Sequence, residues 1–242
     1  MRQHAKNKKL NIIGIIPARG GSVDVHLKNI HELCGKPLVY YVIKAALASG
    51  YLRRVIVSTD HEEIARISKQ YGAEVPFRRP ADISGGDVPT HCVIQHAVRF
   101  IEKEENQKID IAVTLQATTP LLSSNDIDST VKKLIKDNVD SAITVKQVGE
   151  HPWWMVTMDK KGFIKPFLVQ DLAGEITIRQ NLDTLYIPNG AVYATKRAVL
   201  MNENRIIGKR CSAVIMPLDR SVDIDNLLDF KIAEAIIKEW HI

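Results

Sequence analysis

Two aspartates near the carboxyl terminus are spaced so that both could bind one cation. Asp223 and Asp225 are separated by one residue, and in an extended segment their side chains would point to the same side. Two such carboxylates repel each other unless a cation lies between them. Mg²⁺ with a triphosphate suits the pair, because Mg²⁺ is usually bound through one or two carboxylates plus phosphate oxygens. A helix is expected just after Asp225, so acidic residues at a helix N-terminus explain the same spacing equally well.

A second candidate site is a glycine-bearing loop near the amino terminus. It follows an apolar stretch and reads Ile16-Pro17-Ala18-Arg19-Gly20-Gly21-Ser22. A loop that joins a strand to a helix places backbone N–H groups where an anion can bind. Gly20 and Gly21 permit close backbone approach, and Arg19 can bind phosphate oxygens with its guanidinium fork. The glycine spacing matches neither the P-loop nor the dinucleotide fingerprint.

The elements that must position these residues alternate between apolar bursts and amphipathic stretches. This alternation predicts βα units around a mostly parallel sheet, and therefore an α/β fold. Asp60 is expected to cap one helix and Ser123 another. The predicted strands are Asn11–Pro17, Arg54–Ser58, Ile109–Leu115, Ser141–Val145, Ala191–Thr195 and Cys211–Met216, and the predicted helices are Pro37–Gly50, Asp60–Tyr71, Ser123–Asp137 and Asn226–Trp240.

Residues 146–185 interrupt this alternation. They contain Trp153 and Trp154, the turn signal Lys161-Gly162 and little helical periodicity. A decorated surface loop is one interpretation. An arm that packs on a second subunit is favoured, because adjacent tryptophans are costly to leave exposed.

Composition limits the classes of protein that this chain can be. The 242 residues are 45% hydrophobic and 25% charged, as in ordinary globular proteins, and predict one domain over 1–242 with a basic tail at 1–10. The net charge of +5 comes from scattered residues, so nucleic acid is not the expected partner. Three widely spaced cysteines indicate a reducing cytoplasm. The apolar run Leu10–Ile16 is too short for a signal peptide, and no stretch approaches a membrane span.

The loop and several later blocks resemble the acylneuraminate cytidylyltransferases, also called CMP-sialic acid synthetases. The matching blocks follow in the family's order over nearly the whole chain, which makes a chance match very improbable. They are Ile16–Ser22, Leu27-Lys28-Asn29, Gly35–Leu38, Val57–Asp60, Arg79-Pro80, Leu115–Leu121, Arg179-Gln180, Pro188–Tyr193 and Ser221–Asp225.

The resemblance implies a three-layer, Rossmann-like nucleotidyltransferase fold that transfers CMP from CTP to a nonulosonic acid, with Mg²⁺ as cofactor. It also implies a homodimer formed through the 146–185 arm, and a place in cell-surface polysaccharide biosynthesis. Arg19, Asp223 and Asp225 are the implied catalytic residues, and the two aspartates would bind the metal. The implied nucleotide-binding residues are Ala18, Arg19, Gly20, Gly21, Ser22, Lys28, Asn29 and Arg79, and the implied sugar-binding residues are Gln116, Arg179, Gln180, Tyr186, Asn189 and Gly190.

Without the resemblance, several of these residues have simpler explanations. Asn189 and Gly190 would form a turn before a strand, Thr118 and Thr119 another turn, and Arg79 would be a surface arginine.

One position in the loop departs from the family. The family usually continues Gly-Gly-Ser with Lys-Gly-x-Pro, whereas this chain has Val23-Asp24-Val25-His26. The missing lysine normally helps to hold the triphosphate, and Asp24 adds a like charge that opposes binding. Three interpretations follow: another cation such as Lys28, Arg19 or a second Mg²⁺ replaces the lysine, the substrate preference differs, or the protein is an inactive nucleotide-binding paralogue. A cytidylyltransferase for the eight-carbon acid Kdo is a further alternative, although its loop typically lacks Gly-Gly-Ser.

Overall fold

The centre of the molecule is a six-stranded sheet. Its strands lie in the order β10 (Cys211–Ile215), β6 (Ser141–Gln147), β9 (Tyr186–Lys196), β5 (Ile111–Leu115), β1 (Ile12–Pro17) and β4 (Arg54–Ser58). The computed structural model describes residues 10–21, 24–168 and 182–240. Five strands of this sheet are parallel to one another and β9 is antiparallel to both of its neighbours. The strands are β1 (Ile12–Pro17), β2 (Glu32–Leu33), β3 (Lys36–Pro37), β4 (Arg54–Ser58), β5 (Ile111–Leu115), β6 (Ser141–Gln147), β7 (Val156–Met158), β8 (Ile164–Pro166), β9 (Tyr186–Lys196) and β10 (Cys211–Ile215).

Helices cover both faces of this sheet. The alternation of side chains in β1 divides its isoleucines between two cores. Ile12 and Ile16 pack with residues of the helices Leu38–Leu47 and Ser124–Asp137. Ile13 and Ile15 pack with residues of the helices Thr90–Glu105 and Arg197–Asn202. The three-layer α/β architecture with a mostly parallel sheet is thereby confirmed. The helices are α1 (Leu38–Leu47), α2 (Glu62–Gln70), α3 (Thr90–Glu105), α4 (Ser124–Asp137), α5 (Arg197–Asn202) and α6 (Leu227–Trp240).

Most predicted elements occur within a few residues of their predicted positions, but one local prediction is wrong and one alternative is excluded. Asp60 does not cap α2, because His61 occupies that position and the Asp60 carboxylate instead accepts the backbone N–H of Gly20. Asn189 and Gly190 do not form a turn before a strand, since both lie inside β9.

The segment between β6 and β9 contains a small hairpin. β7 and β8 pair antiparallel, and their exposed face is rich in apolar side chains. Residues 169–181 of the predicted arm lie outside the described residues. Eight apolar side chains on this hairpin and beside it are more than 40% exposed. They are Trp153, Met155, Val156, Met158, Phe163, Ile164, Phe167 and Leu168.

The closing helix α6 packs beside the amino-terminal loop. Phe230, Ala233 and Ile237 share a core with Val25 and Leu33. This packing brings the start of α6, and the aspartates just before it, next to the loop that follows β1. Of the helices the structure describes, none is long and apolar enough to cross a bilayer.

Candidate functional site

A cleft of about 340 Å³ lies beyond the carboxyl ends of β1 and β5. The strand β4 lies on one side of β1 and the next strand of the sheet, β5, lies on the other. Ligands of open α/β sheets bind where the strand order reverses in this way. The cleft brings together predicted residues that are distant in sequence, namely Arg19, Lys28, Asn29, Arg79, Gln116 and Asp225.

The loop after β1 is held to the protein by two of its own backbone amides. Ala18 N–H donates to the carbonyl of Ser58, 2.9 Å away, and Gly20 N–H donates to Oδ1 of Asp60, 2.9 Å away. A Cβ on Gly20 would lie 2.9 Å from the His61 ring, so only glycine allows this close approach. These two N–H groups are therefore engaged within the protein. Gly21 is exposed, and Ser22 lies outside the described residues.

Arg19 and Lys28 supply positive charge on this side of the cleft. No carboxylate of the described residues lies within salt-bridge distance of the Arg19 guanidinium, and Asn29 Nδ2 donates to the Arg19 carbonyl at 2.9 Å. Lys28 Nζ donates to the carbonyl of Ile224 at 2.7 Å and to Asp225 Oδ1 at 3.2 Å. Lys28 thus joins the amino-terminal loop to the acidic segment, and the exposed carboxylate of Asp24 lines the same cleft.

Arg79 is a buried residue that lines the cleft, and it is not a surface arginine. It is 5% exposed, and its guanidinium donates to the Ser58 carbonyl and to Ser58 Oγ. Burial lowers the pKa of Arg79 to about 10, with the charge of Arg19 adding to the effect and that of Asp60 opposing it. Arg79 therefore still carries a positive charge at neutral pH.

The two aspartates have different environments. Asp223 is largely buried, and its Oδ1 atom has no hydrogen-bond partner. Burial raises the pKa of Asp223, the nearby charge of Asp225 adds to this, and a hydrogen bond from Thr118 opposes it together with Lys28 and Lys146. Asp225 is mostly exposed. An unpaired buried carboxylate oxygen beside a second carboxylate is the arrangement that a bound cation stabilises.

The donor set fits a cation that also takes phosphate oxygens. Within residues 10–21, 24–168 and 182–240, no cluster of three or more His, Cys, Asp or Glu side chains could hold a metal ion. Two carboxylates with room for substrate oxygens suit Mg²⁺, which retains water or phosphate ligands, rather than a fully protein-ligated metal.

A groove of about 560 Å³ adjoins the cleft, and Asp225 lines both. Lys146, Ile187, Asn189 and Asp223 line this groove. Gln116, at the end of β5, lines the cleft. Tyr186 is half exposed and lines neither cavity. The predicted sugar-binding residues Arg179 and Gln180 lie outside the described residues.

Sequence reasoning missed one wall of the cleft. It consists of the loop before α3 and the first turn of that helix, a helix absent from the predicted elements. The Gly85-Gly86 pair, followed by apolar residues at helical spacing from Val93 to Ile101, is the signal that could have identified it. The residues of this wall are Ile83, Gly85, Gly86, Val88, Thr90 and Val93.

Several known proteins with similar sequences are named as cytidylyltransferases or as synthases of CMP-sugars. Residues 13–161 match the model of a family described as cytidylyltransferase. The chain is 32% identical over 228 residues to the post-translational flagellin modification protein B of Campylobacter coli, covering 94% of this chain and 95% of that protein. It is 31% identical over 233 residues to the CMP-N,N'-diacetyllegionaminic acid synthase of Legionella pneumophila, covering 95% and 97%.

The fold is also that of a solved synthetase structure. A CMP:2-keto-3-deoxy-manno-octonic acid synthetase complexed with CTP superposes with a TM-score of 0.68 at 16% identity, covering 95% of this chain and 99% of that one. At this identity the likeness concerns the fold alone. The family match and the relatives establish that this chain is a nucleotidyltransferase and belongs to the cytidylyltransferase family.

Proposed function

We propose that this protein transfers CMP from CTP to the anomeric hydroxyl of a nonulosonic acid and releases pyrophosphate. The observation that carries the proposal is the convergence of Arg19, Lys28 and Arg79 with Asp225 in one cleft, beside a groove that contains Asp223. A cationic cleft suits the triphosphate, and the adjoining groove offers space for an acceptor next to the acidic pair. The name of the Legionella relative indicates a nonulosonic acid as acceptor.

In the proposed reaction the anomeric hydroxyl attacks the α-phosphorus of CTP. The new P–O bond forms in line with the breaking bond to pyrophosphate, and the hydroxyl proton is lost to solvent or to a base. Such transfers depend mainly on positioning and on neutralising charge on phosphate oxygens. In this proposal Arg19 and Lys28 pair with those oxygens, whereas Asn29 and Arg79 bind the nucleoside.

Asp223 and Asp225 would hold Mg²⁺. When bound, this ion polarises the phosphate oxygens and offsets the charge that develops during transfer. The unpartnered Oδ1 of Asp223 supports this assignment.

The exposed hairpin supports a homodimer as the working form. Monomeric proteins rarely expose contiguous apolar patches of this kind, and the hairpin places Met158, Phe163 and Ile164 at more than half exposure. A second copy of the chain is the proposed partner.

An isotope experiment tests the direction of attack. The anomeric oxygen of a nonulosonic acid is labelled with ¹⁸O by exchange in labelled water, and the products formed with CTP and Mg²⁺ are weighed by mass spectrometry. The proposal predicts that the CMP-sugar retains the label and that the pyrophosphate is unlabelled. An unlabelled CMP-sugar, which would mean that the anomeric C–O bond had broken, or CMP formed without a sugar attached, would contradict the proposal.

A further inference from the structure

Asn189 lies at a bulge where β9 departs from regular pairing with β6. Ile143 pairs with Tyr193 and Val145 pairs with Pro188, so the single residue Thr144 faces the four residues 189–192. Extra residues of this kind redirect side chains and recur beside active sites. Asn189 is the first residue of the bulge and is 3% exposed.

The amide of Asn189 is fully engaged within the protein. Its Oδ1 accepts from Thr144 Oγ1 at 2.7 Å and from Ala191 N at 3.3 Å. Its Nδ2 donates to Ser221 Oγ at 2.9 Å and to Met216 Sδ at 3.2 Å. An asparagine amide has two N–H donors and two acceptor lone pairs on its oxygen. A direct hydrogen bond to a substrate would therefore require breaking one of these four.

The partners of Asn189 belong to the segment that leads into the acidic pair. Ser221 is buried, and its hydroxyl donates to the carbonyl of Pro217 at 2.8 Å while accepting from Asn189. Asp223 follows two residues later. Asn189 therefore ties the bulge of β9 to the segment that bears both carboxylates.

Gly190, the next residue, leaves room for the carboxylate of Asp223. Gly190 has a φ of +80°, a conformation that favours glycine. A Cβ at this position would lie 3.1 Å from Asp223 Oδ2. The bulge thus sets the position of Asp223 from two sides, through the Asn189 amide and through the absent side chain of Gly190.

We infer that Asn189 is a positioning residue for the acidic pair: with Ser221 it fixes the segment bearing Asp223 and Asp225 for binding a divalent cation with CTP. This inference rests on the proposed function. It is a second role for Asn189, beside the sugar-binding role that the resemblance implies.

The test measures metal binding in the absence of acceptor. Mn²⁺ serves as the probe, and its affinity in the presence of CTP is followed by electron paramagnetic resonance for wild type, Asn189→Ala and Ser221→Ala. Partners that orient metal ligands typically contribute about 10- to 100-fold in affinity. Both variants are expected to weaken Mn²⁺ binding at least about tenfold, and the double variant little further because the two act as one unit.

Two comparisons separate positioning from sugar contact and from misfolding. Ser221→Thr keeps the hydroxyl and is expected to retain most of the Mn²⁺ affinity, while Ser221→Ala removes a single oxygen atom and is the milder test of folding, checked by thermal unfolding without metal. The KM for the sugar acid is expected to remain near the wild-type value in Ser221→Ala.

Two results would overturn the inference alone. One is Mn²⁺ affinity unchanged in Ser221→Ala, and the other is a raised KM for the sugar acid in Asn189→Ala with Mn²⁺ affinity intact. A wild-type protein that fails to bind Mn²⁺ and CTP together would overturn the proposed function as well, so the two failures are distinguishable.

Discussion

At the scale of single residues, three of the charged side chains that line the cleft bear on the lysine missing after Ser22. Arg19 and Lys28 bring positive charge to the cleft, and the exposed Asp24 brings negative charge to it. Lys28 contacts Asp225, so part of its charge is already offset before any ligand binds. This geometry favours the interpretation that Lys28 and Arg19 replace the lysine missing after Ser22. In this interpretation the negative charge of Asp24 weakens CTP binding.

Replacing Asp24 with asparagine should therefore lower the KM for CTP. Two unit charges about 4 Å apart in water interact by about 1 kcal/mol, so the expected change is about two- to fivefold. Initial rates at varied CTP and saturating acceptor measure it. Glu239→Gln, an exposed acid on α6, is the matched control and should leave the KM unchanged. A KM that rises in Asp24→Asn would mean that the carboxylate assists binding.

Asp225→Ala should abolish turnover while leaving the fold intact. The side chain of Asp225 is mostly exposed and contacts only Lys28 among the described residues, so its loss removes a metal ligand and little packing. Turnover and thermal unfolding of the variant are compared with those of Asp219→Asn, an exposed acid in the preceding turn. Near-normal formation of CMP-sugar by Asp225→Ala would refute the metal assignment.

At the scale of elements, an ion pair joins α3, α5 and the start of β5 at the end of the sheet away from the cleft. Glu102 accepts from Arg197 through both carboxylate oxygens and from the backbone N–H of Ile109 at 2.9 Å. Burial acts to raise the pKa of Glu102, but the hydrogen bonds from Arg197 and Ile109 and the charges of Arg197 and Lys108 outweigh it, so the pKa is lowered.

Glu102→Gln should destabilise the protein in a pH-dependent way. Loss of one partner from a buried charged hydrogen bond costs about 1–3 kcal/mol. Because folding lowers the pKa of Glu102, its contribution is present above the unfolded value of about 4.3 and is lost as the pH falls through the lower folded value. Urea unfolding at pH 7 and in the acid range measures the difference between variant and wild type.

The control for Glu102 is Glu63→Gln, whose exposed partner Arg66 lies three residues along α2. Exposed pairs of this kind contribute little to stability. Equal destabilisation by Glu102→Gln at pH 7 and below pH 4 would contradict the account.

The elements also show how far sequence reasoning reaches. Arg54–Ser58 is predicted with its observed bounds, and Ser123 forms the predicted cap, because periodicity and capping are local signals. The Ser123 hydroxyl accepts from the Asp126 N–H, and the Asp126 carboxylate accepts from the Ser123 N–H in return. The Asp60 cap is wrong because the partner of its carboxylate, Gly20, is 40 residues away, and the contact of Asn189 with Ser221 spans 32 residues. Such long-range hydrogen bonds leave no local pattern. The family blocks did predict several residues that meet in the cleft, but not the wall formed by the start of α3.

At the scale of the whole molecule, the hairpin exposes an apolar face, which is unusual for a protein that stays monomeric. Met158, Phe163 and Ile164 are 72%, 65% and 57% exposed, on an element that packs little against the sheet. Covering this face with a second copy would bury side chains of the type that dominate interface cores.

Phe163→Asp combined with Ile164→Asp should therefore convert the proposed homodimer into a monomer. Placing two carboxylates in an apolar interface leaves them desolvated and unpaired, which opposes association. Sedimentation velocity measures the change in mass. Leu47→Asp, at an apolar position on α1 that is 49% exposed, is the control and should remain dimeric. A wild-type protein that sediments as a monomer at all concentrations would exclude this role for the hairpin.

The measurement that tests the central claim most directly is pyrophosphate release from CTP and Mg²⁺ with a panel of acceptors. The panel contains N-acetylneuraminic, legionaminic and pseudaminic acids together with Kdo. The account predicts rapid release with a nonulosonic acid and little with Kdo. Release with Kdo alone, or no release with any acceptor from folded protein that binds CTP, would contradict it.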